Sequence, residues 1–307
     1  MNVAVCAITY QRPEGLRRLL GGLNQLTFKK IKAPKIEVIV IDNDAGGSAY
    51  SICESMKPDF RWSIRCFDEP RRGIPFARNK AIASRGKADF IAFIDDDEVP
   101  DPHWLEELLI VQQTKKADVV AGPVLPYFKD QSVPSWMAKF FERKRHSTGE
   151  VLEFAFTNNV LIRSKIFQQI ENRFDERFAL TGGSDKQFFI RVHRLGYTII
   201  WADQAVVHEW IPQSRTNIKW ILQRGYRLGN TDGLCAIDQA DASIVQILAR
   251  IVWRFVKMIL AILFIPVSIV LGRYIFLKNL RSVCRSAGII AGLANQPYQE
   301  YRVTHRM

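Results

Sequence analysis

The chain has 307 residues, of which 48% are hydrophobic and 24% are charged, and its formal net charge is +12. This apolar fraction is enough to build a core, which excludes a disordered or low-complexity chain. The five cysteines are scattered and form no C-x-x-C pair, which argues against a disulfide framework and against a thiolate zinc site.

Short apolar runs alternate with helical patterns as far as about residue 211. The predicted strands are residues 3–8, 36–41, 62–67, 89–94, 119–124, 157–163, 197–201 and 205–208. The predicted helices are residues 16–26, 74–84, 103–114, 164–170 and 185–195. Because the strands are almost continuously apolar and alternate with helices, we predict an α/β fold with a mostly parallel sheet that helices cover on both faces.

Residues 244–294 combine apolar runs with basic residues. No acidic residue occurs from Ala242 to Gln299, and the uncharged residues 258–272 are interrupted by Pro266. Two basic groups recur at helical spacing, namely Arg250, Arg254 and Lys257, and Lys278, Arg281 and Arg285. Helices of this composition lie in anionic membrane interfaces, so we predict that residues 244–294 bind an anionic membrane surface. A single short transmembrane span and a buried helical hairpin are the alternatives.

The positive charge alone would also suit nucleic acid. Much of the excess lies beside the apolar runs, with few interleaved aromatic residues, which favours lipid. We therefore predict no nucleic-acid partner. We predict a protein at the cytoplasmic face of the cell membrane that is peripheral, monotopic or held by one short span.

The turn after the first predicted strand excludes one kind of nucleotide site. A dinucleotide-binding fold needs G-x-G-x-x-G at this point, whereas the chain has Tyr10-Gln11-Arg12-Pro13-Glu14. A P-loop is excluded as well, because no G-x-x-x-x-G-K-[ST] motif occurs in the sequence.

Three consecutive carboxylates, Asp95, Asp96 and Asp97, follow the fourth predicted strand. They would lie at the carboxyl edge of the sheet, where open α/β sheets bind ligands. Adjacent carboxylates repel one another unless a cation is present, and their oxygens suit Mg²⁺ or Mn²⁺. A helix cap is the alternative role, but Asp101-Pro102 already provides that cap.

Six stretches of the chain carry a family resemblance. They are AITYQRPEGLRRLL, IEVIVIDN, GIPFARNKAI, DFIAFIDDDEVP, TNNVLIR and FDERFALTGGSDKQFFIRVHRLGY. In this order they cover roughly residues 3–210 and resemble family 2 glycosyltransferases of the GT-A fold, close to the branch that builds succinoglycan-type exopolysaccharide. The resemblance implies an inverting transfer from a nucleoside-diphosphate sugar, with a UDP-sugar favoured, to a glycan or lipid-linked acceptor. A non-catalytic relative that keeps the fold as a scaffold is the alternative.

The resemblance also implies which residues hold the donor. The nucleotide-sugar residues are Thr9, Gln11, Arg12, Glu14, Asp42, Arg78, Asp95 and Asp96. Asp97 and Asp95 match the D-x-D motif for a divalent cation, Mn²⁺ or Mg²⁺, and His208 stands where many relatives have a histidine that completes the metal site or contacts the diphosphate. The alternatives are a turn residue for Asp42, a solvated helix charge for Arg78 and a structural role for His208.

Asp185 matches the acid that deprotonates the acceptor hydroxyl in the family. It ends the stretch TGGSD, in which Ser184 replaces the glutamate of the usual Gly-Glu-Asp. An inverting displacement needs one general base on the face opposite the leaving group. A carboxylate that stabilises the helix dipole is the alternative.

The irregular residues 125–156 carry Trp136, Lys139 and Arg143. We predict that they form an acceptor lid, in which the aromatic ring meets a sugar and the cations meet a lipid diphosphate. A solvated basic helix is the alternative.

The predicted domain organisation has two parts. Residues 1–230 form a GT-A domain with a nucleotide-binding half of about 1–124 and an acceptor half of about 125–230. Residues 231–307 form a C-terminal helical region that associates with the membrane.

Overall fold

The computed structural model describes residues 1–129, 133–170, 173–238 and 244–300. Its strands are β1 (Asn2–Thr9), β2 (Lys35–Asp42), β3 (Ser63–Asp68), β4 (Phe90–Asp95), β5 (Glu98–Pro100), β6 (Val119–Ala121), β7 (Val124–Phe128), β8 (Asn159–Arg163), β9 (Ile199–Trp201) and β10 (Val207–Ile211). Its helices are α1 (Pro13–Asn24), α2 (Tyr50–Met56), α3 (Ile74–Ser84), α4 (Trp104–Lys115), α5 (Ser135–Ala138), α6 (Ile166–Gln169), α7 (Ser184–Arg194), α8 (Ile218–Asp238), α9 (Ile244–Leu263), α10 (Ile265–Val270) and α11 (Arg273–Leu293). The sequence analysis predicted neither α2 nor β5.

The larger sheet has seven strands in the order β3-β2-β1-β4-β8-β6-β9. Adjacent strands in this sheet run parallel, except that β8 is antiparallel to both β4 and β6. The predicted mostly parallel α/β sheet is therefore confirmed. The single strand expected at 119–124 is two strands in different sheets. They separate at Gly122, where a Cβ would lie 2.3 Å from the carbonyl oxygen of Ala205.

Two apolar cores cover the two faces of this sheet. Side chains alternate along β1, so Val3 and Val5 join the core that also contains residues of α1 and α4. Ala4 and Cys6 point the other way and join the core that contains residues of α3 and α7. This two-sided cover is what nearly continuous apolar strands require.

A smaller sheet, in the order β5-β10-β7, packs against α5 and the C-terminal helices. The apolar cluster that joins these parts contains Met137, Phe141, Ile211, Ile221 and Leu277. Its members come from α5 and the chain just after it, from β10, and from α8 and α11. The described part of the segment expected to be irregular thus contains the end of β7 and α5, and it packs against α8 and α11.

Glycines set the close approach of α8 and α11. The glycines at this contact are Gly225, Gly229 and Gly233 on α8 and Gly288 and Gly292 on α11. A Cβ at Gly229 would lie 2.0 Å from the carbonyl oxygen of Arg285, and a Cβ at Gly288 would lie 2.0 Å from that of Tyr226. Larger side chains would force the two backbones apart. Since α8 runs across residue 230, the predicted domain boundary falls inside a helix, and the division itself stays a prediction.

We expect Gly288→Ala to destabilise the protein, because its new Cβ would overlap the Tyr226 carbonyl. Overpacking of this kind costs roughly 1–3 kcal/mol of unfolding free energy. Gly21→Ala is the matched control, because Gly21 lies inside α1 and no described atom is within 4 Å of an added Cβ. Alanine there should stabilise by about 0.5–1 kcal/mol. Urea unfolding measures both changes, and an unchanged stability of Gly288→Ala would contradict the packing.

Helices α9 and α10 leave large apolar side chains exposed. Examples that are more than half exposed are Val245, Leu248, Val252, Trp253, Leu260, Leu263, Ile269 and Val270. The helical character predicted for the C-terminal part is confirmed, but this exposure disagrees with a buried hairpin. None of the helices in the described ranges is both long and apolar enough to cross a membrane.

Candidate active site

The three aspartates lie where β4 turns into β5. Asp96 is buried, and its Oδ2 accepts a hydrogen bond from Thr9 Oγ1 at 2.8 Å while its Oδ1 accepts one from Arg12 Nη1 at 2.9 Å. A Cβ at Gly15 would lie 2.6 Å from the Asp96 carbonyl oxygen, so glycine allows α1 to begin against this turn. The structure thus brings Thr9, Arg12 and the aspartates together.

Asp97 belongs to a chain of ion pairs. Its Oδ2 lies 3.3 Å from Nη1 of Arg12 and 3.2 Å from Nη1 of Arg215. The same Arg215 nitrogen lies 3.4 Å from Oε1 of Glu209, and Oε2 of Glu209 lies 2.6 Å from Nη2 of Arg143. The sequence analysis proposed neither Arg215 nor Glu209 as a site residue. Together they connect Asp97 to the segment that was predicted to be the acceptor lid.

Glu98 is a further buried carboxyl group that the sequence analysis missed. It is 1% exposed, its Oε2 accepts the Asp95 amide at 3.0 Å, and its Oε1 accepts Asn158 Nδ2 at 2.9 Å. Burial, together with the charges of Asp95, Asp97 and Glu209, raises the pKa of Glu98 well above its usual value. Its position directly after the aspartate triple is the signal that could have indicated it.

The ionised form of Asp95 is unfavourable in the metal-free protein. Burial raises its pKa to about 7 against the opposing effect of Arg78, and the charges of Asp97, Asp96 and Asp185 raise it further. A bound cation would reverse this shift, because it stabilises the ionised form.

The raised pKa predicts how the stability of the metal-free protein changes with pH. A carboxyl group whose pKa rises on folding binds more protons in the folded state, so stability falls as the pH rises from its ordinary pKa toward 7. In chelator, the melting temperature should fall between about pH 5 and pH 8 more steeply for the unaltered protein than for Asp95→Asn. The pKa values of Asp96 and Glu98 are also raised, so the variant should keep a smaller slope. Parallel curves for the two proteins would contradict this assignment.

Asp185 lies in the first turn of α7, and Gly183, the residue just before this helix, has a φ of +95°. Its Oδ1 accepts the amide of Lys186 at 2.8 Å. A Cβ at Gly183 would lie 2.1 Å from Cγ2 of Thr231, so α8 packs directly against the start of α7. The charge of Asp185 contributes to the raised pKa of Asp95, and Ser184, the residue before Asp185, accepts a hydrogen bond from Arg78.

Arg78 connects α3 to the same region. It is 6% exposed, lies 5.4 Å from the Phe174 ring centroid, and donates from Nη1 to Ser184 Oγ at 3.2 Å. Its charge opposes the raised pKa of Asp95. A solvated helix charge, which was the alternative, does not describe this buried arginine.

Asp42 stabilises the turn after β2, and its contact with the nucleotide stays a prediction. It is fully buried, its Oδ1 accepts the amide of Asp44 at 3.0 Å, and its Oδ2 accepts the amide of Ala49 at 2.6 Å. Both oxygens are therefore used to hold the loop between β2 and α2.

Gln11 and Glu14, which follow β1, lie in different surroundings. Gln11 has a φ of +52°, and its Nε2 donates to Asp44 Oδ1 at 3.2 Å, which leaves it beside the β2 loop. Glu14 is exposed in the first turn of α1, where it pairs with Arg17 at 3.4 Å. This ion pair does not involve the aspartates, and the part of Glu14 in nucleotide binding stays a prediction.

His208 pairs with an acid outside the aspartate triple, and its role as a metal ligand stays a prediction. Its Nε2 lies 3.0 Å from Asp101 Oδ1. Side chains alternate along β10, and it is the next residue, Glu209, that shares Arg215 with Asp97.

The residues predicted to form an acceptor lid contact other parts of the protein. Trp136 is partly buried against the cluster that joins α5, α8 and α11, and Lys139 Nζ lies 5.5 Å from the centroid of the Tyr274 ring. Arg143 pairs with Glu209. Arg143 is therefore the member of this set that is connected to Asp97.

Two family models match the chain, glycosyl transferase family 2 over residues 4–171 and glycosyl transferase family group 2 over residues 90–286. The chain belongs to glycosyl transferase family 2. It is 33% identical over 246 residues to the succinoglycan biosynthesis protein ExoM of Rhizobium meliloti strain 1021, covering 78% of this chain and 76% of that protein. It is 24% identical to a glucosyl-dolichyl phosphate glucuronosyltransferase of Haloferax volcanii, covering 75% of each.

Solved glycosyltransferase structures share the fold. S. aureus TarS 1–349 in complex with UDP-GlcNAc matches with a TM-score of 0.53 at 14% identity, covering 93% of this chain and 91% of that chain. GalNAc-T7 with UDP, GalNAc and Mn²⁺ matches with a TM-score of 0.55 at 12% identity, covering 76% and 51%. The predicted GT-A fold is confirmed, and family membership makes this chain a glycosyltransferase.

The turn after β4 fits a divalent cation. Asp95 and Asp97 offer carboxylate oxygens, and burial and then repulsion from neighbouring acids raise the pKa of Asp95. Mg²⁺ at nucleotide sites usually takes one or two carboxylates, with phosphate and water as its other ligands. Among the described residues there is no group of three or more His, Cys, Asp and Glu side chains that could hold a metal. Asp95 and Asp97 are the candidate protein ligands, and the metal site itself stays a prediction.

Proposed function

We propose that the protein transfers a sugar from a UDP-sugar to a hydroxyl group of a glycan or lipid-linked acceptor, with inversion at the anomeric carbon, in cell-surface polysaccharide synthesis. The observation that supports this most is that the charges of Arg78, Asp97 and Asp185 all act on the buried Asp95, while Arg78 also donates a hydrogen bond to Ser184 beside Asp185. A metal-binding carboxylate pair, a cation for phosphate and a general base are the groups that this reaction needs. The similarity to ExoM supports the polysaccharide, and the UDP in the TarS and GalNAc-T7 structures supports the nucleotide.

The donor would be held by carboxylates and arginines. Asp95 and Asp97 would hold Mn²⁺ or Mg²⁺, which when bound neutralises charge on the leaving diphosphate. Arg12 and Arg215 lie beside Asp97, and Arg78 lies near Asp95, so all three are placed to meet phosphate oxygens. Buried Asp96 binds Arg12 and keeps it at this edge.

Asp185 would act as the general base. It takes the proton of the acceptor hydroxyl while that oxygen attacks the anomeric carbon and the bond from that carbon to the diphosphate breaks. Attack from the face opposite the leaving group inverts the configuration. The hydrogen bond from the Lys186 amide to Oδ1 orients the carboxylate for this step.

The C-terminal helices would attach the protein peripherally to the cytoplasmic face of an anionic membrane. The support is the exposed apolar surface of α9 and α10, with basic residues beside it and no acid from Ala242 to Gln299. The combination predicts binding that depends on both apolar contact and charge.

We expect Val252→Glu combined with Leu263→Glu to release the protein from anionic vesicles. The two side chains are 61% and 68% exposed, so the fold should tolerate both changes. Each apolar side chain contributes roughly 1.5–3 kcal/mol when it is buried, so the vesicle partition coefficient should fall more than about tenfold. Tyr50→Glu on α2 is the control, because Tyr50 is 58% exposed but lies outside the C-terminal helices. Sedimentation with vesicles measures the effect, and equal binding of both variants would contradict it.

Release of nucleotide from UDP-, GDP- and dTDP-sugars by the purified protein tests the proposed reaction. With Mn²⁺ present and acceptor absent, slow hydrolysis of at least one UDP-sugar is expected, because water can replace the acceptor. A non-catalytic relative would release no nucleotide. Hydrolysis of a GDP- or dTDP-sugar alone would contradict the UDP assignment.

A further inference from the structure

A cavity of about 540 Å³ lies between α7 and the C-terminal helices. One wall comes from α7, with Lys186 and Arg194. Another comes from α9, with Arg250, Trp253 and Arg254. The remaining lining includes apolar residues of α8 and α11, so the cavity combines cations, an aromatic ring and an apolar surface.

This cavity begins one residue away from the proposed base. The α7 residues that line it, Lys186, Ile190, His193 and Arg194, lie along one helical face. Lys186 directly follows Asp185, and the eight-residue step to Arg194 corresponds to about 12 Å of helix. The cavity therefore extends along α7 from the catalytic end of the helix to its other end.

The charges of the cavity favour an anion. Asp232, one of its two acids, is already paired with the lysine of α7 and with Arg285 at 2.7 Å. No carboxylate within the described ranges forms an ion pair with Arg250 or Arg254. The other acid, Glu153, is exposed. An excess of positive charge is thus left for a ligand.

The helix that supplies the arginines of the cavity also has an exposed apolar side, so the ligand should have an apolar part. Arg250 and Arg254, which are four residues apart, line the cavity from one side of α9. Leu248, Val252 and Leu263 of the same helix are exposed to solvent. A ligand with a negatively charged head and an apolar chain would match both surfaces at once.

We propose that this cavity binds the phosphate-bearing head group of a lipid-linked saccharide and is the acceptor site. Arg250 and Arg254 bind the phosphate oxygens, and Trp253 packs against the head group. The lipid chain leaves along the exposed side of α9, and the saccharide extends past Lys186 so that its hydroxyl reaches Asp185. The proposal rests on the proposed function of Asp185, and it places the acceptor here rather than on the predicted lid.

Farnesyl diphosphate is a probe with both features of this ligand. Calorimetry in saturating UDP and Mn²⁺ keeps the donor site filled. Arg250→Gln combined with Arg254→Gln should weaken binding by at least about tenfold, because two charge-assisted contacts are lost. Arg273→Gln combined with Lys278→Gln is the matched control, because it removes the same charge from exposed positions of α11 outside the cavity lining. The affinity of this control variant for farnesyl diphosphate should equal that of the unaltered protein.

A variant that keeps the charges provides an independent test. Ala236 lines the cavity from α8, so Ala236→Leu should fill part of it and weaken farnesyl diphosphate binding with all arginines in place. Inorganic pyrophosphate should bind the unaltered protein far more weakly than farnesyl diphosphate. Equal affinities of these two ligands would overturn the lipid assignment.

Nucleotide-sugar hydrolysis without acceptor separates failure of this proposal from failure of the proposed function. All the cavity variants should hydrolyse the donor at the unaltered rate, which also shows that they fold. The cavity assignment is overturned if hydrolysis is normal and farnesyl diphosphate binds all the variants with the same affinity. It is also overturned if the two double variants lose affinity for farnesyl diphosphate to the same extent. If the unaltered protein hydrolyses no nucleotide sugar, the proposed function fails, and the binding data still decide what the cavity holds.

Discussion

Asp185→Asn should lower the turnover of sugar transfer by roughly 10²–10⁴-fold and leave donor affinity nearly unchanged. Asparagine has the same size and can still accept the Lys186 amide, but it cannot take a proton at neutral pH. Because a general base acts only in the transition state, the loss should appear in kcat and not in the donor KM. Steady-state kinetics with the donor varied at saturating acceptor measures both constants.

Asp175→Asn is the matched control for this substitution. Asp175 is an acid in the segment before α7, where it pairs with Arg177 and caps the short turn Glu176–Phe178. Its loss should lower stability slightly and leave turnover unchanged. If Asp185→Asn behaved in that way instead, with a lower melting temperature and normal turnover per folded molecule, Asp185 would be a helix-dipole carboxylate and not the base.

Asp97→Asn should abolish measurable transfer. The cation would lose a ligand, so charge on the leaving diphosphate would no longer be neutralised. Arg12 and Arg215 would also lose the carboxylate that places them beside each other. Product formation should be measured over a range of Mn²⁺ concentrations, because a lost ligand weakens cation binding, and recovery at high Mn²⁺ would show that the loss lies in cation occupancy.

Asp101→Asn provides the comparison for Asp97→Asn. Asp101 is 43% exposed and pairs with His208 outside the ion-pair chain of Asp97, so this substitution should leave transfer intact. Normal transfer by Asp97→Asn, or by the unaltered protein in excess chelator, would contradict the role of the cation.

The elements that hold the catalytic carboxylates could be predicted because their signals are local. The apolar run before Asp95 indicated β4, and α3 has the bounds that its sequence pattern predicts, Ile74–Ser84. Asp185 was expected at the start of a helix, and α7 begins at Ser184. In each case consecutive residues contain the whole signal, so no long-range contact was needed to read it.

The partners of Asp97 could not be predicted, because they depend on register and on distant contacts. Arg215 follows Asp97 by 118 residues. Whether His208 or Glu209 faces the site depends on which side of β10 turns inward, and a shift of one residue would exchange them. The sequence analysis chose His208 by family resemblance, and it is Glu209 that shares Arg215 with Asp97.

The close packing of α8 against α11 could be predicted only in part from the sequence. Gly225, Gly229 and Gly233 recur every four residues, which marks a helix face that a backbone can approach closely. What approaches that face, Gly288 and Gly292 of α11, becomes known only once the chain is folded. The carboxylate of Asp42 shows the same limit, because its backbone partners belong to the loop conformation that it stabilises.

The claim that Asp95 and Asp97 hold the donor through a divalent cation is tested most directly by calorimetric titration of the unaltered protein with UDP, in Mn²⁺ and in chelator. UDP should bind at least about tenfold more tightly in Mn²⁺, because the cation joins the diphosphate to both carboxylates. Equal UDP affinity in Mn²⁺ and in chelator would contradict the claim.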